Sequence, residues 1–269
     1  MKQILVCFKM VTDYEQILPN DWDDFAPDGD GFDYVRQIIN CFDESALELA
    51  LCMKEDFTQY GHEVHLTALT VTEDPDSSFF KTLSAVGFDR VVRLAPSSKG
   101  SFSPMSTADD ILSFLHQEST VYDILLFGQQ AAPFNSGQIP YFVAQSLKIP
   151  AIPNVISLKA EPQFLTAVSQ KKDRLLTYQL SAPALYLIGN CKGTYLRIPT
   201  LREKMSASKK EYPCYQFSTP KHQASSPKKL LRNQSERKPV LYKDLSSKEA
   251  AQKILDLIEK EDLCRHREL

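Results

Sequence analysis

The chain has 269 residues, of which 43% are hydrophobic and 24% charged, and a formal net charge of −3. That is enough chain for one large α/β domain, or for a domain with an arm, and the composition is that of a globular protein. The charge balance points neither to nucleic acid nor to a membrane surface, and no apolar run approaches the roughly 20 residues of a membrane helix.

The first predicted element is QILVCF (3–8), β-branched and almost wholly apolar, as a strand covered on both faces would be. The N-terminal MKQILVCFK is too short for a signal h-region and is followed by no small-residue cleavage site, so an intracellular, cytoplasmic protein is expected. The acids of DYEQILPNDWDDFAPDGDGFD (13–33) resemble a calcium loop loosely but lack the Gly-then-Glu spacing of an EF-hand, and no metal site is predicted. In DESALELALCMKEDF (43–57), Ala46, Leu47, Ala50, Leu51 and Lys54 recur at spacings of three and four, which predicts a helix. Ser45 and Glu48 fit a capping box at its start. HEVHLTALTV (62–71), RVVRLA (90–95) and YDILLF (122–127) are further strands. DSSFFKTLSAVG (76–87), ended by Gly87, and STADDILSFLHQES (106–119) are further helices.

Strands alternating with helices predict a parallel sheet covered on both faces, with ligands beyond the carboxyl ends of the strands. There lies LLFGQQAAPFNSGQIPYFVAQ (125–145), a strand end and a helix start separated by small and amide-bearing residues with no acid, base, His or Cys between them. It reads as a ligand loop. After residue 150 the pattern changes to strands joined by short turns, in IPNVISLKAE, QFLTAVSQ and RLLTYQLSAPALYLIG. From Leu201 to Val240 there are ten Lys or Arg against three Glu, with four prolines interspersed, which predicts an extended cationic arm. SSKEAAQKILDLIEKE (246–261) is an amphipathic helix with its own capping box, Ser246 and Glu249, and can bury only one face. The predicted domains are 1–200, 201–245 and 246–269.

The phosphate-loop and dinucleotide glycine patterns are absent, as are the signatures of adenylyl transfer. The five histidines gather near no Ser or Cys nucleophile, and the six cysteines are scattered without a C-x-x-C, so they read as incidental thiols. The chain reads as a holder of ligands rather than as a hydrolase or transferase.

ILVCFKMVTDY (4–14), INCFDESALELAL (39–51), AVGFDRVVRL (85–94), DILLFGQQA (123–131) and GQIPYFVAQSLKIP (137–150) resemble, in order and spacing, the β subunit of electron transfer flavoprotein. The likeness continues through APALYLIG (182–189) and YLRIPTLREKMSASKK (195–210). It implies a Rossmann-like adenine-nucleotide-binding α/β fold and an obligate α subunit that carries most of an FAD site. It implies that the β chain covers one side of the flavin and buries a structural AMP, or a second FAD in a bifurcating branch. It further implies that the heterodimer shuttles electrons from a flavin dehydrogenase such as an acyl-CoA dehydrogenase, without being an enzyme itself. By the family pattern the nucleotide site comprises Cys7, Asn40, Cys41, Phe42, Asp43 and Val71, with Gly128, Gln129, Gln130, Ala131, Asn135, Ser136, Gly137, Gln138 and Ile139. Neutral donors at a strand end can wrap phosphate and ribose oxygens through backbone N–H groups. Tyr14 matches a position at the flavin edge. Ile198, followed by Pro199, matches the anchor that docks the dehydrogenase, and the C-terminal helix is expected to dock on the α subunit.

The sequence departs from the family at Gln129, where a Lys is usual, at Pro133 and Asn135, where two Asp are usual, and at Pro140 and Cys41. With no Lys or Arg in the loop, main-chain amides are expected to hold the phosphate. Bifurcating members carry Arg at the position of Gln129 and Ala at that of Gly137, so the sequence favours a single redox FAD. The alternative reading is a stand-alone nucleotide-binding sensor or adenylyl-transfer domain. The long arm and terminal helix favour the two-subunit carrier.

Overall fold

The computed structural model describes residues 1–17, 35–73, 78–97, 103–132, 135–181, 183–207, 210–219 and 240–260. The chain divides into two units, Met1–Leu230 and Leu231–Leu269. In the first, β1 (Lys2–Cys7) is followed by the short hairpin partners β2 (Met10–Thr12) and β3 (Gln37–Ile39). Then come α1 (Cys41–Gln59), β4 (Val64–Val71), α2 (Ser78–Val86), β5 (Arg90–Ala95), α3 (Pro104–Gln117), β6 (Ile124–Gly128) and α4 (Ile139–Leu147). The unit continues through β7 (Ala151–Ala160), β8 (Leu165–Lys171), β9 (Arg174–Leu180), β10 (Ala184–Ile188), α5 (Leu201–Ala207) and β11 (Cys214–Gln216).

One nine-stranded sheet runs β11-β5-β4-β1-β6-β10-β7-β8-β9, parallel from β11 to β7 and antiparallel from β7 to β9. The strands at its centre are apolar throughout because both faces are covered; all five residues of β6 and of β10 are buried. Alternate residues of β1 show the layers. Ile4 and Val6 point toward Leu47, Met53 and Phe57 of α1 and Leu83 of α2, whereas Leu5 and Cys7 point toward Ile111 and Phe114 of α3 and Val143 of α4. From β1 the chain moves to β4 and β5 on one side, then returns to β6 on the other. The β1–β6 boundary is therefore a topological switch point, where a crevice opens at the carboxyl ends.

The α/β sheet is as expected from the sequence, with two corrections. The helix predicted from residue 43 begins at Cys41, with Asn40 at the N-cap position, so Ser45 and Glu48 lie inside it and form no capping box. Ser45 Oγ donates instead to the carbonyls of Cys41 and Thr194. Within the expected pattern of strands, the run RLLTYQLSAPALYLIG is two: β9 closes the antiparallel edge, and after Pro183 β10 returns to the parallel centre. The sheet also continues past residue 200, because β11 pairs in parallel with β5 and Tyr215 packs on Phe114. Arg90 holds that edge, with its guanidinium on Glu118, on the Tyr215 hydroxyl and beside both rings. Residues 208–209 and 220–239 of the predicted arm lie outside the described residues, as does most of the acidic stretch 13–33.

In the second unit, α6 (Ser247–Lys260) has the expected capping box. Ser246 donates through its N–H and Oγ to Glu249, and Ser246 Oγ accepts from Glu249 N. Its apolar residues Ile254, Leu255 and Leu257 are exposed. Among the described residues, no helix is long and apolar enough to cross a membrane and no cluster of ligating side chains could hold a metal ion.

Candidate functional site

A cavity of about 610 Å3 opens at the switch point. The ends of three parallel strands form its floor: Cys7 of β1, Leu69 and Val71 of β4, and Phe127 and Gly128 of β6. The loop after β6 forms one wall through Gln130, Ala131, Ser136, Gly137 and Gln138, continuing into Ile139 and Pro140 of α4. The first turns of α3 form another, with the N-cap Ser103, Pro104, Thr107 and Ile111. This volume is in the range of small-molecule and cofactor sites.

The floor is fixed by Asp43 in the first turn of α1. Its Oδ1 accepts from Gly128 N at 2.8 Å and its Oδ2 from Lys9 N at 2.9 Å, so one carboxylate ties the ends of β1 and β6 together across the crevice. Burial pushes this carboxyl up to about 7, against the hydrogen bonds and the nearby Lys9, which pull it down. A Cβ on residue 128 would stand 2.2 Å from Asp43 Oδ1 and 2.9 Å from Phe42 Cβ, so the packing itself requires glycine there. Gly137 has φ +59°, and a Cβ would meet the carbonyl oxygen of Gln129 at 2.7 Å.

Lys9 also lines the cavity. Its Nζ donates to the carbonyl of Ala132 at 2.7 Å, and burial lowers its pKa while Asp43 raises it. Asn40, buried, donates through Nδ2 to the carbonyl of Gln130 at 2.9 Å and so braces the loop from the helix side. Cys7 is buried, which holds its thiol well above the ordinary range and keeps it neutral, with Asp43 acting in the same direction. Both oxygens of Asp43 are occupied by the protein's own N–H groups. Among the described residues, the cavity holds no paired nucleophile and base. Its lining can bind and orient a ligand.

Of the predicted site residues, Cys7, Asp43, Val71, Gly128, Gln130, Ala131, Ser136, Gly137, Gln138 and Ile139 meet at the cavity. Asn40 and Phe42 stand behind it as supports. Gln129 turns away: its Oε1 accepts from Asn154 N of β7 at 2.7 Å. Asn135 adopts φ 48° and donates to the Ala131 carbonyl, shaping the loop. Cys41 is exposed at the start of α1. Tyr14 packs with Ile17 and Val35 rather than lining the cavity. Ile198 is 88% exposed and Pro199 is buried. The sequence reading missed Lys9, one residue beyond the first predicted strand, and the start of α3. The loop itself has no Lys or Arg, but Lys9 reaches it from the opposite side of the switch point. The S-P pair at 103–104, a helix-start signal, was the legible clue to α3.

The family model described as electron transfer flavoprotein domain matches residues 33–188. YgcR of Escherichia coli (strain K12), named as a candidate electron transfer flavoprotein subunit, is 25% identical over 210 residues, covering 77% of this chain and 79% of YgcR. The electron transfer flavoprotein subunit beta of Megasphaera elsdenii is 24% identical over 216 residues, 78% of this chain and 77% of that one. The acryloyl-CoA reductase electron transfer subunit gamma of Anaerotignum propionicum is 26% identical over 211 residues, 77% and 75% of the two chains.

Proposed function

We propose, for a chain that belongs to the electron transfer flavoprotein family and serves as its β-type subunit, that the cavity at the switch point binds AMP while a separate α subunit supplies most of an FAD site. The domain divisions at residues 200 and 245, and docking of α6 on that α subunit, belong to the same reading. The heterodimer would receive electrons from a flavin dehydrogenase of the acyl-CoA dehydrogenase type, in the cytoplasm. The observation that carries the reading is the donor set of the cavity. Leu69, Val71, Ile111, Phe127 and Ile139 offer apolar walls suited to a base. The 128–138 loop offers N–H groups and Lys9 a cation suited to ribose and phosphate. FAD, when bound, supplies the one- and two-electron chemistry. This chain's residues bind, orient and exclude water. Tyr14, exposed in part beside the β2–β3 hairpin, is the residue offered toward the flavin edge.

Expression alone and with the α subunit tests the reading. The chain alone should be colourless, and the coexpressed pair should copurify one-to-one with a flavin spectrum. A colourless pair, or a stable monomer that binds no partner, would remove the electron-carrier assignment.

A further inference from the structure

We propose that Arg197 is the positioning residue of a docking loop: clamped to the acidic face of α1, it holds Ile198 outward as a pre-set anchor for the partner dehydrogenase. The proposal rests on the reading of the chain as an electron-carrier subunit.

The loop between β10 and α5 has no regular secondary structure. An apolar side chain on such a loop ordinarily samples many orientations, and ordering them on association weakens binding. Here the loop is fastened at almost every residue around Ile198. Thr194 O accepts from Ser45 Oγ at 3.1 Å, and Leu196 N donates to Glu44 Oε1 at 3.4 Å. Arg197 N donates to Glu48 Oε2 at 3.0 Å, and its guanidinium meets Glu48 through Nη2 at 2.7 Å and Nε at 3.0 Å. The remaining nitrogen, Nη1, donates to Glu55. Glu44, Glu48 and Glu55 are four and seven residues apart, so one face of α1 presents them in a row. Only a planar fork spans two carboxylates in this way, and a Lys at 197 would reach them as a single point.

Either side of the clamp, Leu196 packs against the core and Pro199 is buried. Beyond them, Thr200 N and Oγ1 donate to Glu203 Oε2 at 2.6 and 2.8 Å, a capping box that starts α5. Ile198 is thus the residue left projecting between two fixed points, at 88% exposed. Tyr195, Leu201 and Met205, in the same stretch of chain, are exposed as well, and such side chains suit a partner pocket. The Glu55 arm of the clamp, with the Arg197 and Glu55 side chains 36% and 57% exposed, contributes little to the fold, whereas Glu48, 13% exposed, is held by two guanidinium nitrogens. Pre-ordering the loop adds an effect on binding.

The test uses the coexpressed heterodimer and a purified acyl-CoA dehydrogenase of the same organism, with Arg197→Met and Ile198→Ala as variants. Each is followed by steady-state flavin reduction against dehydrogenase concentration, by hydrogen exchange of residues 195–200 and by melting. Arg197→Met should raise KM for the dehydrogenase roughly tenfold with kcat and flavin spectrum unchanged, and the 195–200 amides should exchange faster. An unchanged KM for Arg197→Met beside a raised KM for Ile198→Ala would overturn the clamp and leave the docking reading standing. If neither variant raises KM, or the wild-type pair does not exchange electrons with this dehydrogenase, the docking reading falls and the clamp falls with it.

Discussion

At the cavity α1 contributes its first turn, where Asp43 is buried and its oxygens close on two backbone N–H groups. At the 194–200 loop the same helix contributes its outer row, where Glu48 and Glu55 meet a half-exposed guanidinium. The first arrangement is dry and integral to the sheet. The second is wet and peripheral. Disturbing Asp43 should therefore reach stability and ligand together, whereas disturbing Arg197 should reach a partner and leave the ligand of the cavity in place.

The largest contrast is expected between two glycines. Gly128→Ala forces a Cβ onto Asp43 and Phe42, and an overpacked site of this kind costs about 1–3 kcal/mol. The heterodimer should melt several degrees lower and lose the nucleotide of the cavity. Gly193, in the docking loop, has φ +73° with nothing within 4 Å of an added Cβ. Gly193→Ala should cost only the backbone strain, about 1 kcal/mol, with nucleotide retained. Equal losses at both positions, measured by melting and by nucleotide release, would erase the distinction.

The next effect is a pH dependence confined to the cavity. Asp43 has its carboxyl raised to about 7 in the folded chain, from an ordinary value near 3.8. A raised carboxyl gives stability that is complete below about pH 4 and is lost as pH rises through about 7. Wild-type melting should therefore fall between about pH 4 and 7, and Asp43→Asn should flatten that fall. Arg197→Met should keep the wild-type slope, because the two carboxylates hold that guanidinium above its already high range and it stays charged throughout. A wild-type profile with no fall over this interval would show that Asp43 is ionised in the folded state.

The cavity was more legible in the sequence than the loop, for a physical reason. Strand periodicity locates QILVCF and YDILLF, the carboxyl ends follow, and the Gly128–Gln138 run lies at one of them. Lys9 and the α3 start escaped notice because their relation to that run exists only across the sheet. The loop clamp depends on Arg197 and Glu48, 149 residues apart, which no local pattern connects. The two residues nearest to revealing it were read otherwise. Ser45 and Glu48 have the spacing of a capping box, but the helix starts earlier, at Asn40, and both side chains are left to hold the loop. Ser246 and Glu249, with the same spacing, do cap their helix. The spacing alone does not separate a cap from a surface row; the position of the preceding turn does.

The most direct measurement is the nucleotide content of the purified heterodimer after denaturation, by chromatography and absorbance. The account predicts one FAD and one AMP for each pair of chains, with the AMP lost in Gly128→Ala and the FAD retained. FAD alone would contradict nucleotide binding at the 128–138 loop, and two FAD would contradict a structural AMP there.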